Sequence, residues 1–150
     1  MMLRQFNAIV VSLWLLAVLS ALITPVALAE QKVTLGDWDV HYIVLPSTFL
    51  TPDVAKAYGL QRSRYQSLIN ISVLDSKSQL AQSVVVSGTA KNLLGNVRKL
   101  EFQEVKEQQS IYYLAQLPLD GEELWRFEIT VRHGDTSETL KFKQKLYIEE

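Results

Sequence analysis

From Trp38 onward, hydrophobic and polar residues alternate along most of the chain with a period of two, the mark of half-buried β-strands. Leu124–His133 is the cleanest case: Trp125, Phe127, Ile129 and Val131 interleave with Arg126, Glu128, Thr130 and Arg132. Trp38, Val40, Tyr42 and Val44 form an inward face in the same way, with Asp37, Asp39, His41 and Ile43 opposite. Val33 and Leu35 have the other phase, so Gly36 marks a bulge or the true strand start. Further strands are predicted over 65–74 (Ile69, Ile71 and Val73 inward), 83–90, 97–106, 111–117 and a last one carrying Leu140, Phe142, Leu146 and Ile148. The Val84-Val85-Val86 run predicts cover on both faces. Val105 is out of phase with Leu100 and Phe102, so that strand should bulge or end near Glu104.

About seven short strands separated by turn signals, without helix–strand alternation, predict an all-β fold. The expected version is an antiparallel two-sheet sandwich, immunoglobulin-like but without the cysteine pair; a small barrel is the alternative. One short helix is inserted after the first long strand. It lies in the stretch Pro46–Arg64, which does not alternate. Thr51-Pro52-Asp53 combines a capping hydroxyl, a proline at the first helical position and an acid in the first turn. Gly59 supplies the left-handed stop. Val54, Ala55 and Tyr58 are available to pin the helix to a sheet.

The first 29 residues have a different pattern. Arg4 is their only charge, Ala8–Ile23 is apolar except for Ser12 and Ser20, and Ala27-Leu28-Ala29 fits small-x-small cleavage. Residues 1–29 therefore read as a signal peptide and residues 30–150 as one sandwich domain. An uncleaved anchor is the competing reading, but the apolar run falls short of the roughly 20 residues that a span needs. After cleavage, fourteen basic residues stand against sixteen acidic ones, a net charge of −2. That balance argues against a nucleic-acid partner. The chain has no cysteine, which excludes disulfides and points to a bacterial periplasm rather than to extracellular fluid.

Candidate chemistry is sparse. Asp37, Asp39 and His41 recur at i, i+2, i+4 on one strand face, about 7 Å apart in succession. Asp39 and His41 are metal-ligand types, yet a straight strand does not converge on an ion, and a solvated outer face is the plainer reading. His41 is also the residue able to change charge near neutral pH. A nucleophilic site would need His41 or His133 beside a serine such as Ser47, and no catalytic motif is present. No enzyme and no cofactor are expected. Arg62 and Arg64 could clamp a carboxylate or phosphate; otherwise one of them ties the connection to Asp53 or to the Asp37/Asp39 face. Ser47, Thr48 and Tyr58 complete the binding candidates, with Ser47 and Thr48 equally readable as turn residues. Lys141, Lys143 and Lys145 read as a guard against sheet-to-sheet aggregation, or else as an anionic-surface stripe.

Several short motifs are similar to one family: Gly36-Asp37, Val40-His41-Tyr42, Ser47-Thr48-Phe49-Leu50-Thr51-Pro52, Ala57-Tyr58-Gly59, Arg62-Ser63, Asn70-Ile71-Ser72-Val73, Ser87-Gly88, Asn92-Leu93-Leu94-Gly95 and Ile111-Tyr112-Tyr113-Leu114-Ala115. Together they resemble the exported Gram-negative bacterial family catalogued as domain of unknown function 4426, over essentially the whole mature chain. The resemblance implies a periplasmic, single-domain β-sandwich and brings no activity, substrate or catalytic residue with it. The expected function is binding of a protein partner in the cell envelope, or help with envelope assembly, through the 46–64 loop. The alternative is a small-ligand or metal-binding domain centred on His41, Asp39 and Arg62.

Overall fold

The computed structural model describes residues 30–149. The proposed signal peptide lies outside them. The expected sandwich is present as two antiparallel sheets. One has five strands in the order β1 (Gln31–Leu35), β2 (Trp38–Pro46), β3 (Gln66–Asp75), β7 (Ser110–Pro118), β6 (Gln103–Glu107). The other has four, in the order β5 (Val97–Leu100), β4 (Val85–Asn92), β8 (Glu123–His133), β9 (Thr136–Leu146).

Among the described residues nine strands form, because two predicted ones each divide. Leu35 pairs with Trp38 across a two-residue turn, and Gly36 opens that turn at φ +58°, a conformation that favours glycine. The phase change at Gly36 is therefore a hairpin, not a bulge. The phase break before Val105 is a change of sheet. β5 pairs with β4, the chain crosses at Glu101-Phe102, and β6 pairs with β7. Val105 is then buried against the outer side of the five-stranded sheet.

The main core lies between the sheets and takes the alternating faces as read, with Trp38, Val40, Tyr42, Ile69, Ile71, Val73, Trp125, Phe127, Ile129 and Leu140 all buried. Phe142 stacks on Phe127 at 4.6 Å and meets Tyr42 at 4.4 Å, bridging the two layers. Val85 corrects the expectation of cover on both faces of β4. It is exposed, because no element among the described residues covers the outer side of the four-stranded sheet.

A second, smaller core lies on the outer side of the five-stranded sheet. Leu68, Val105 and Leu114, with Leu45 and Tyr112, are covered by Leu50, Tyr58 and Leu60. Those last three belong to the 46–64 segment. It runs through a 3₁₀ turn (Ser47–Phe49) and helix α1 (Pro52–Ala57). Thr51 Oγ1 accepts from Val54 N at 3.3 Å, and Pro52 takes the first helical position. Gly59 ends the helix at φ +65°. Ala55 is buried and Tyr58 half-buried, whereas Val54 points to solvent and does not pin the helix.

Candidate functional site

The segment that interrupts the alternation is stitched to the sandwich by its polar residues. Ser47 is fully buried. Its hydroxyl donates to Ser63 O at 3.0 Å and accepts from Ser63 N at 2.9 Å, closing the segment into a loop. Arg62 ties the same loop from outside, its Nε donating to Leu50 O at 2.6 Å and its Nη2 to Thr48 O at 3.1 Å. Its partners are backbone carbonyls rather than Asp53, Asp37 or Asp39. Gln116 and Gln61 exchange hydrogen bonds of 2.9 and 2.7 Å, and Gln103 donates to Tyr58 O at 2.8 Å. Thr48 Oγ1 donates to the Glu149 carboxylate. Arg64 is exposed, with Cζ 5.2 Å from the Tyr65 ring centroid.

Asp39 and His41 lie elsewhere. Asp39 is seven residues back along β2 from Pro46, about 23 Å at 3.3 Å per residue, so it is not brought together with Arg62. The solvated face expected for Asp37, Asp39 and His41 holds only for Asp37. Asp39 is 4 % exposed, covered by Thr34 Oγ1 at 2.6 Å, Lys32 Nζ at 3.0 Å and Gln79 Nε2 at 3.0 Å. These hydrogen bonds, Thr34's first and then those of Gln79 and Lys32, hold its carboxyl well below the usual carboxylate range. Both oxygens already accept from side chains, which leaves little to offer a metal. His41 lines an open cavity of about 390 Å³ with Glu30, Ser72, Gln79 and Tyr112. Its Nδ1 is 3.7 Å from Glu30 Oε1, and its Nε2 is buried without a partner. His133 Nδ1 lies 3.0 Å from Ser83 O, and Ser47 is sealed against Ser63, so the serine–histidine pairing weighed from sequence does not form.

One end of the sandwich collects apolar surface that side-chain types alone did not reveal. The pairs Pro46↔Ser67, Gln66↔Pro118, Asn92↔Trp125 and Trp125↔Gln144 place these positions at the same end. Gln144 Nε2, donating to Val44 O at 3.0 Å, joins the two sheets there. Phe49 is 61 % and Tyr147 55 % exposed at this end. They flank a groove of about 280 Å³ that also includes Val44, Pro46 and Leu146. Phe49 sits in the motif quoted for the family resemblance, which is the one signal that could have found it.

A family model described as "Domain of unknown function (DUF4426)" matches residues 32–149. The crystal structure of a DUF4426 family protein from Pseudomonas aeruginosa PAO1 is 40 % identical, with a TM-score of 0.73, over 81 % of this chain and 97 % of that one. FetP from uropathogenic Escherichia coli strain F11, as isolated after recombinant expression in the periplasm of E. coli BL21(DE3), has a TM-score of 0.58 at 11 % identity. That match covers 81 % of this chain and 96 % of that one. A copper-bound Glu-to-Gln variant of FetP gives 0.58 at 12 % identity, over 81 % and 92 %. Both FetP structures share the fold. No curated protein matches the chain.

Proposed function

The chain belongs to the DUF4426 family, and from that premise and the geometry above we propose a periplasmic, non-enzymatic sandwich that binds a protein partner of the cell envelope. Recognition is at the end that carries the 46–64 segment. The observation that supports this most is Phe49, a large apolar ring left in solvent on a turn that Ser47, Arg62 and Ser63 hold rigid. A rigid loop on a sandwich is a preorganised recognition element, because little ordering entropy is lost when a partner docks. The Phe49–Tyr147 groove has room for one or two apolar side chains of a partner segment. Placement in the periplasm rests on the signal-peptide pattern and the missing cysteines.

The alternative centre at His41, Asp39 and Arg62 has less support. Arg62 is spent on carbonyls and Asp39 on three donors. The copper-bound structure is that of a FetP variant, which shares the fold with this chain at 12 % identity. Among the described residues no group of three or more His, Cys, Asp or Glu is placed to hold a metal. The two histidines are on different sheets, and the only methionines are Met1 and Met2. The residues present do not fit that metal.

A photoreactive phenylalanine analogue at position 49, irradiated in intact cells, tests the reading. A discrete adduct, absent when the analogue is at the exposed Lys56 and lost in a Tyr147→Asp background, is the expected result. Identical patterns from positions 49 and 56 would defeat it.

A further inference from the structure

We propose that the β4–β5 turn and the row of cations behind it form a docking face for the surface of an anionic phospholipid membrane. This does not rest on the protein-partner reading above.

The turn is the motif Asn92-Leu93-Leu94-Gly95. Asn92 is buried and spends its polar groups on shaping it. Its N–H donates to Asn96 O at 3.1 Å, its carbonyl accepts from Gly95 N at 3.2 Å, and its Oδ1 accepts from Asn96 N at 2.9 Å. Its Nδ2 reaches Glu123 Oε2 at 3.1 Å, and Gly95 turns the chain at φ +90°. This fixed turn holds Leu93 and Leu94 in water, 63 % and 82 % exposed, with Val97 exposed beside them. A turn needs polar or flexible residues at its tip; two leucines held outward by a hydrogen-bonded frame have no folding role that the structure reveals.

Immediately behind the tip, the register aligns charges of one sign. Lys91 is opposite Arg126, and Arg126 is opposite Lys143. Val97 extends the row at Lys91. Directly opposed side chains stand about 4.5–5.5 Å apart at Cβ, and like charges there destabilise a sheet. Neighbouring cations are neutralised locally: Lys141 by Glu128 at 3.3 Å, Lys99 by Glu101 at 2.8 Å, and Lys145 by Glu122. Among the described residues, no acid is within ion-pair distance of Lys91, Arg126 or Lys143. The three line a shallow groove of about 360 Å³ with Thr89, Val97 and the paired Lys141 and Glu128. A chain of net negative charge thus carries three cations without ion-pair partners among the described residues, on a sheet face that no described element covers.

An acidic protein would match the row but leave the leucines unexplained. A phospholipid surface uses both. Leucines enter the acyl boundary while lysine and arginine stay at phosphate depth, and a few basic residues suffice for reversible attachment to anionic lipid.

The test is flotation of the purified mature chain with vesicles of phosphatidylcholine alone, or with about 30 % phosphatidylglycerol. Binding is expected only to the anionic vesicles and should weaken in 0.5 M salt. Replacing Lys91, Arg126 and Lys143 together by glutamine should weaken it roughly hundredfold, at about fivefold per cation. Leu93→Ser with Leu94→Ser should weaken it about tenfold. All five side chains are exposed, and a thermal melt checks that both variants stay folded. No binding to anionic vesicles, or equal binding to neutral ones, overturns the proposal. So does loss in the glutamine variant with full retention in the serine variant, which would mean that charge alone holds the chain to the vesicles and the leucines take no part.

Discussion

Ser47→Ala tests how the 46–64 segment is held. The substitution removes a hydroxyl that is fully buried and makes two hydrogen bonds to one residue, Ser63. It leaves the Ser63 N–H without its partner, whereas the Ser63 carbonyl keeps its bond from Gln66 N at 3.1 Å, and it opens a void too small for water. An orphaned buried donor or acceptor costs about 1–3 kcal/mol. Ser63 is only half-buried, so its one orphaned N–H falls in the lower part of that range, and the cost is about 1–2 kcal/mol. Urea unfolding of the mature chain should show a midpoint lowered by that amount divided by the slope, with the slope itself unchanged. Amide exchange adds a local readout: the Ser63 N–H should exchange faster than those of β3 and β8, because the segment can lift without unfolding the main core. A change below about 0.5 kcal/mol, with Ser63 exchange as slow as in the parent, would refute the reasoning. The Ser47–Ser63 bonds would then not be what holds the segment.

The two arginines should separate. Arg62→Ala removes two solvent-exposed hydrogen bonds to carbonyls and should cost about 1–2 kcal/mol in the same urea assay, whereas Arg64→Ala should cost less than about 0.5 kcal/mol. Equal effects would contradict the carbonyl ties. Acid should find Asp39. Its folded pKa is lowered by Thr34, Gln79 and Lys32, so its contribution to stability is complete above about pH 4, the unfolded value, and is lost as pH falls toward the folded one. The Asp39→Asn variant should therefore be less stable at neutral pH and lose less on acidification from pH 5 to 2. Parallel pH curves for variant and parent would remove Asp39 from the acid response.

What the sequence determined is what a period of two encodes. Trp125, Phe127, Ile129 and Val131 face inward because alternation is a local property of the extended chain, written in consecutive residues. Thr51, Pro52 and Gly59 bound the helix for the same reason, since capping and left-handed backbone act over a few positions. Even the break before Val105 was legible, although its meaning, a crossing from one sheet to the other, was not. Tertiary structure decided everything that depends on pairing across distance. Arg62 offers the same guanidinium to a ligand or to a carbonyl, and only the fold placed Leu50 and Thr48 within its reach. Asp39 reads as a surface acid until β1 and the turn after β3 bring Thr34 and Gln79 over it. Val85 reads as doubly covered until the four-stranded sheet proves open on its outer side. Lys91, Arg126 and Lys143 are 52 positions apart from first to last, and only strand register makes them neighbours. Alternation assigns each residue to a face of its own strand, whereas the identity of the residue opposite is set by which strands pair and where.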